Sequence, residues 1–414
     1  MFSKEGSPRQ PSDAVAVEEA QRLLRGMLRP CGWEWVEVSR SSGRVLAQDI
    51  LSPADLPPRE VALKDGYALR MGDILKGRPV RLRDSSQGVC GVGDALGPGE
   101  AIRVMTGIPL PEGADAVLPA EEGAVEEDGR LRFLQGVPQG VNVGRRGDVV
   151  RKGQTLLRRG ERVRPEGVAL MAGMGLGKVK VTRRPRVRVL PTGSELVVPG
   201  ERAGEGRVFA SHGWYLRSMV ETEGGRAVVE APVPDDPDAL RKAVGQGKGE
   251  QITLTTGGTG KGERDLISTV MEEMGAASLF QGIRMSPGRT TALYELAGRP
   301  ILALPGGLGG VEVGFEILVR PALGFLLSVA QEERRVLECV TQEPLRLEAK
   351  EYRFVEARVW TSGGQLLAAP APRRDRGWGL PVATGDGWIE VPPGQGEIPK
   401  GALVRVRCKS NCLG

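Results

Sequence analysis

The chain has 414 residues, more than one hydrophobic core ordinarily serves, so several domains are expected. Forty per cent of its residues are apolar, which excludes a disordered chain, and its 60 Gly and 30 Pro follow no three-residue period, which excludes a collagen. The net charge of +5 is local: Arg145 to Arg188 holds 14 basic residues against 3 acidic ones, with no aromatic side chain for base stacking, which argues against nucleic acid as a partner.

The first element is a helix over 15–28, where Val15, Val17, Ala20, Leu23, Leu24 and Leu28 form one apolar stripe behind the capping residues Ser12 and Asp13. After Pro30 the apolar runs shorten and Gly punctuates them, giving strands over 33–38, 47–50, 67–69, 80–82, 101–104, 116–118 and 131–133. Residues 46–144 therefore read as a β-rich insertion domain. The basic stretch follows, as a solvated face or the rim of a site for a small anion, and Pro165 opens a short helix over 164–172. The insertion thus returns to the layer it left, and residues 1–45 and 145–182 form a discontinuous first domain.

From 183 to 328, strands over 187–190, 227–231, 251–254 and 301–303 alternate with helices over 212–222, 237–244, 264–274 and 311–318. This is the pattern of a three-layer α/β domain, a parallel sheet with helices on both faces. Strands return at 336–340, 353–360, 366–369, 388–391 and 403–407 and predict a small closing β-barrel over 329–414. The fold class is multidomain α/β. With no run of 18 apolar residues and no apolar or basic amphipathic leader, no membrane association and a cytoplasmic location are expected. The five Cys form no CxxC pair, and Cys408 with Cys412 lacks a nearby His to complete a metal site.

Ligands of such sheets bind at the carboxyl ends of the strands. Three loops there share one design, an apolar strand followed by small residues and a helix: 189–196 with Thr192, Gly193 and Glu195; 254–265 with Gly257, Gly258, Thr259, Gly260, Gly262 and Asp265; and 302–310 with Pro305 and Gly306. Missing Cβ atoms let backbone N–H groups face an anion. One such loop reads equally as a tight turn that needs Gly for positive φ; three in register on one sheet edge read as a phosphate site. Carboxylates beside phosphates require a hard cation, so Mg²⁺ held by Glu195, Asp265 and phosphate oxygens is expected, with helix capping as the bland alternative for both acids. His212, the only His, reads as a polar first-turn residue or else as a ligand or proton carrier.

The segments Leu56-Pro-Pro, Asp65-Gly-Tyr-Ala68, Arg103-Val-Met-Thr-Gly107, Pro109 to Val117, Asn142 to Gly153, Thr192-Gly-Ser-Glu-Leu196, Gly257-Gly to Asp265 and Leu304-Pro-Gly306 follow one another along nearly the whole chain. Taken in this order they resemble the molybdopterin molybdenumtransferase family, the MoeA-type molybdenum insertases that include the gephyrin E domain. The resemblance implies a homodimer of four-domain subunits that inserts molybdate into adenylylated molybdopterin and releases AMP, with Mg²⁺ assisting. A molybdopterin adenylyltransferase and molybdenum enzymes as acceptors are the implied further partners. It also implies Asp65, Thr106, Glu195 and Asp265 as active-site residues, with Asp65 supplied by a second subunit's insertion. The implied molybdopterin-binding set is Thr192, Gly193, Gly257, Gly258, Thr259, Gly260, Ser286, Gly288, Arg289, Pro305 and Gly306.

The sequence departs from the family's pattern in the same cleft. Glu60 to Lys64 stands for Asp-Asn-Ser-Ala-Met, Ala210-Ser-His212 for Asp-Ser-Asn, Ser286-Pro-Gly-Arg-Thr290 for Lys-Pro-Gly-Lys-Pro, and Pro305-Gly-Gly-Leu308 for Pro-Gly-Asn-Pro. The loop 257–262 is closer to the Gly-Gly-Thr-Gly loop of molybdopterin adenylyltransferases. A Lys lost at Ser286 and gained at Lys64 and Lys261 either relocates positive charge around one anion or marks a changed substrate. Two readings follow: an active insertase for molybdate or tungstate, and a non-catalytic paralogue or scaffold that binds molybdopterin or a partner enzyme. The lack of a Ser–His or Cys–His arrangement fits metal-assisted cleavage, which needs charge neutralisation rather than a covalent nucleophile.

Overall fold

A computed structural model describes residues 14–83, 95–133, 140–257, 266–330, 336–347, 350–371 and 385–409. The chain divides into two compact units, one of residues 48–159 and 165–178, the other of residues 1–47, 160–164 and 179–414.

The smaller unit is built on a four-stranded sheet in the order Arg81–Leu82, Glu100–Val104, Gly66–Leu69, Ala116–Pro119. Alternation along these strands sends Ala68, Ile102, Val104 and Val117 into one core and Leu69, Ala101, Ala116 and Leu118 into another. Both faces are thus covered, which is why these short strands are apolar at nearly every position. The five-residue helix Met71–Leu75 carries no legible period; the Asp115 carboxylate holds its first N–H, accepting from Met71 N at 2.7 Å.

The larger unit contains a six-stranded sheet in the order Arg226–Val229, Arg186–Pro191, Ile252–Thr256, Arg299–Leu304, Ala292–Leu296, Ala277–Gln281. The first four are parallel, while Ala292–Leu296 runs antiparallel to both its neighbours and forms a hairpin with Arg299–Leu304, so the expected parallel sheet is a mixed one. The sequence hid this hairpin because its two-residue turn is Ala297-Gly298, both at positive φ, in place of the Asn-Gly or Asp-Gly that usually marks such a turn. The helix Leu308–Gly314 runs on through a π turn at Phe315–Val319 into Arg320–Leu327. The sequence pattern places this helix only over 311–318; the wider turn ahead of Pro321 lets it continue. The helix Val17–Met27 buries Val17, Ala20 and Leu24 in the same core as Phe315 and Leu323.

The same unit carries the expected barrel. Its strands Val336–Thr341, Tyr352–Ser362, Gln365–Pro370, Gly387–Val391 and Leu403–Cys408 close because Tyr352–Ser362 pairs on both sides, with Gln365–Pro370 and with Gly387–Val391. Alternate side chains such as Leu337, Cys339, Val404 and Val406 fill the interior, as closure of so few strands requires. Among the described residues, no helix is long and apolar enough to cross a membrane.

Candidate active site

Three neighbouring parallel strands, Arg186–Pro191, Ile252–Thr256 and Arg299–Leu304, end at one sheet edge. There Thr192 donates to the Thr256 carbonyl twice, from its backbone N at 2.9 Å and from Oγ1 at 3.0 Å. Gly257 sits at φ +97, and a Cβ on it would lie 2.5 Å from the Thr192 carbonyl oxygen. On its other side, a Cβ on Gly306 would lie 3.6 Å from the Gly257 Cα. The three loops therefore touch through backbone, and only Gly fits at 257.

Gly193 has φ +148, and a Cβ there would meet the Glu195 carboxylate at 2.6 Å. The carboxylate of Glu195 is thus folded over the loop, exposed, and without a cation or donor among the described residues. Asp235 secures the loop by a reciprocal pair: its Oδ2 accepts from Ser194 N at 3.0 Å, and its own N donates to Ser194 Oγ at 2.8 Å. Sequence reasoning missed Asp235, because Pro234-Asp-Asp-Pro237 reads only as the cap of the next helix, a part that Asp236 plays by accepting from Ala239 N.

A fourth loop joins from the barrel side, where Met285–Ser286 pairs with Tyr352 and Arg353. Its Gly288 has φ +108, and Gly310 approaches so closely that a Cβ on Gly310 would sit 2.8 Å from the Pro305 ring and 3.5 Å from Gly288 N. Ser286 Oγ accepts from Arg353 at 3.0 Å, so a guanidinium stands against the position where a Lys was missing from the motif. Arg353 lies far along the chain inside a barrel strand, and no local signal marked it. Arg289 stands at the margin, largely exposed, its guanidinium 3.9 Å from Glu351.

In the smaller unit, Asp65 Oδ1 accepts two bonds from Thr106, from N at 2.7 Å and from Oγ1 at 2.8 Å. These donors, with Arg103 nearby, hold the Asp65 carboxyl below its ordinary value. Oδ2 takes no hydrogen bond among the described residues. The corner is fixed by Gly66, where a Cβ would collide with the Leu118 carbonyl, and by Gly107 at φ +82, whose N–H donates to Ala62 O at 2.8 Å. The Asp65-Gly66 pair, an ordinary turn when read alone, is thus a strand start that admits no side chain at its second residue.

Two family models match the chain: the MoeA N-terminal region (domain I and II) over residues 15–175, and the probable molybdopterin binding domain over residues 188–324. The molybdopterin molybdenumtransferase of Bacillus subtilis is 30% identical over 401 residues, covering 95% of this chain and 93% of the relative. The chain belongs to the molybdopterin molybdenumtransferase family. Molybdopterin molybdenumtransferase 2 of Mycobacterium tuberculosis is 28% identical over 408 residues, covering 94% of this chain and 98% of the relative. Crystal structures of the molybdopterin biosynthesis MoeA protein from Pyrococcus horikoshii, 29% and 26% identical, superpose with TM-scores of 0.81 and 0.77 over 96% of this chain and 100% of theirs.

Within this family frame, the molybdopterin-binding match spans all four strand-end loops and the N-terminal match spans the Asp65–Thr106 corner. The fold brings Thr192, Gly193, Glu195, Gly257, Ser286, Gly288, Pro305 and Gly306 to one edge. Gly258, Thr259, Gly260, Lys261, Gly262 and Asp265 lie outside the described residues. Lys64, the other gained cation, is half-exposed with its ammonium 3.9 Å from Glu121. His212 falls in the first turn of the helix Ser211–Thr222, where burial lowers its pKa and favours the neutral ring. Among the described residues no three His, Cys, Asp or Glu cluster to hold a metal.

Proposed function

We propose that this chain inserts molybdate into adenylylated molybdopterin and releases AMP. The observation that carries the reading is the row of close backbone approaches from Thr192 through Gly257 and Gly306 to Gly310 and Gly288, a floor nearly free of side chains beside an unpaired carboxylate. A phosphorylated ligand approaches backbone N–H groups only where Cβ atoms are missing.

Mg²⁺ suits this donor set. Glu195 offers hard oxygens that no cation or donor already occupies, and Mg²⁺ binds through one or two carboxylates plus phosphate oxygens, so a larger protein cluster is not required. Glu195 and Asp265 would hold it, and its chemistry there is charge neutralisation during cleavage of the phosphoanhydride. The loops bind and orient the phosphates, and Arg353 adds positive charge beside Ser286. Asp65, kept ionised by Thr106, leaves Oδ2 free to accept a proton donor of the substrate. In this reading Asp65 serves the strand-end site of a second subunit, so a two-fold homodimer is part of the proposal.

The test is AMP release from adenylylated molybdopterin with molybdate, and in parallel with tungstate, with and without Mg²⁺. Release that needs both oxyanion and metal is expected; none above background sinks the insertase reading. Light scattering at micromolar concentration should report a dimer. A non-catalytic paralogue is the second reading, favoured by Ser286, a hydroxyl already engaged by Arg353 where the family's pattern has a Lys. Tight molybdopterin binding without AMP release would establish it.

A further inference from the structure

The larger unit holds a cavity of about 1070 Å³ that shares no residue with the strand-end loops. It lies where the helix Val17–Met27, Arg162, the end of the helix Ser211–Thr222, the helix Arg320–Leu327 and the strand Leu403–Cys408 meet. Its wall carries Arg22, Arg25, Arg162, Arg320, Arg405 and Arg407, against only Glu18 and Glu223.

The arginines are unequally served. Arg22 pairs with Glu19 at 2.6 Å and Arg320 with Glu316 at 2.9 Å, while Arg405 and Arg407 share the single carboxylate of Glu390. Arg25 lies over the Phe325 ring, 4.6 Å from its centroid, and meets no carboxylate among the described residues. Arg162, drawn from the basic stretch of the sequence, donates to the carbonyls of Gly43 and Glu223 and likewise meets no carboxylate. Arg25 and Arg162 thus bring guanidiniums without a carboxylate partner to a space whose other arginines already hold theirs, an excess of positive charge that an entering anion would neutralise.

We propose that this cleft binds an organic phosphate of nucleotide size. Guanidinium forks match phosphate oxygens in bidentate fashion. About half of the lining is apolar, with Leu24, Phe325 and Val329 among it, which suits a ligand with an organic body as well as charge. The volume lies just above the roughly 300–1,000 Å³ usual for a small-molecule site, room enough for a nucleotide.

Calorimetric titration of the full chain at low ionic strength with ATP, pyrophosphate, adenosine and hexaglutamate tests it. ATP and pyrophosphate should bind saturably and weaken with salt, and adenosine should not bind. Arg25→Gln and Arg405→Gln, both at exposed positions and each leaving the buried Glu390 its pair with Arg407, should each weaken pyrophosphate by about ten-fold or more, with the native circular dichroism spectrum retained. Wild-type affinity in both arginine variants, with loss in Gly257→Ala, would place the anion at the strand-end loops and overturn the proposal. Hexaglutamate binding tighter than ATP would overturn it in favour of an acidic protein partner, and no saturable phosphate binding by the wild type would overturn it outright.

Discussion

The strand-end loops and the Asp65–Thr106 corner hold their candidate groups by opposite means. At the strand ends, loops approach until backbone meets backbone, and Gly257 has the Thr192 carbonyl where its Cβ would be. At the corner, glycines also set the turn, but the functional group is a carboxylate held by a backbone N–H and a hydroxyl at 2.7 and 2.8 Å. The backbone of the first arrangement is sensitive to volume, and charge enters it only through carboxylates such as Glu195. The second tolerates isosteric change and responds to charge.

The largest effect is expected from Asp265, the second carboxylate of the proposed metal site. Asp265→Asn keeps size and removes charge, so AMP release should fall by roughly 10²-fold or more while molybdopterin binding changes far less. Wild-type turnover across a Mg²⁺ titration would reduce Asp265 to a helix cap worth roughly 0.5–2 kcal/mol.

Next comes volume. Gly257→Val forces a Cβ into the Thr192 carbonyl at a φ of +97, a strain of roughly 1–3 kcal/mol. Molybdopterin affinity should drop while Asp65–Thr106 geometry, read by NMR, stays intact. Unchanged affinity would demote the loop to an ordinary turn.

The corner should show the converse. Thr106→Val removes one donor to Asp65 without altering bulk, so the Asp65 midpoint in an NMR titration should rise toward its ordinary 3.8. The folded value lies below the unfolded one. The corner's contribution is therefore complete above the unfolded value and is lost as pH falls through the folded one. A midpoint that does not move would mean that the hydroxyl bond is not made in solution.

The smallest effect concerns Arg353, which reaches the strand-end loops through Ser286 and also lies 3.7 Å from Glu351. Arg353→Lys should preserve much of the oxyanion affinity and Arg353→Ala should lose about ten-fold, measured as KM for molybdate against an unchanged melting temperature. Equal losses in both variants would make Arg353 a packing residue.

Much of this architecture was legible in the sequence, and for a physical reason. Barrel strands bury alternate residues, strands buried on both faces are apolar throughout and amphipathic helices repeat near 3.6, so local pattern located the barrel strands and the helices that flank the sheet. Where burial was incomplete or turn chemistry unusual, the signal failed: the Ala297-Gly298 hairpin concealed the antiparallel strand Ala292–Leu296, and the helix expected over 311–318 runs on through a π turn past Pro321.

The strand-end loops were legible as glycine clusters because backbone contact leaves no alternative residue. Asp235 and Arg353 were not, since each acts across a distance in sequence that only folding closes, Ser194 to Asp235 and Ser286 to Arg353. The same holds for the arginine cleft, whose six members come from four segments. Sequence by itself determined which residues must be small or apolar, because sterics and burial act locally along the chain. The tertiary structure alone decided which charges face one another, because Coulomb and hydrogen-bond partners are chosen by proximity in space.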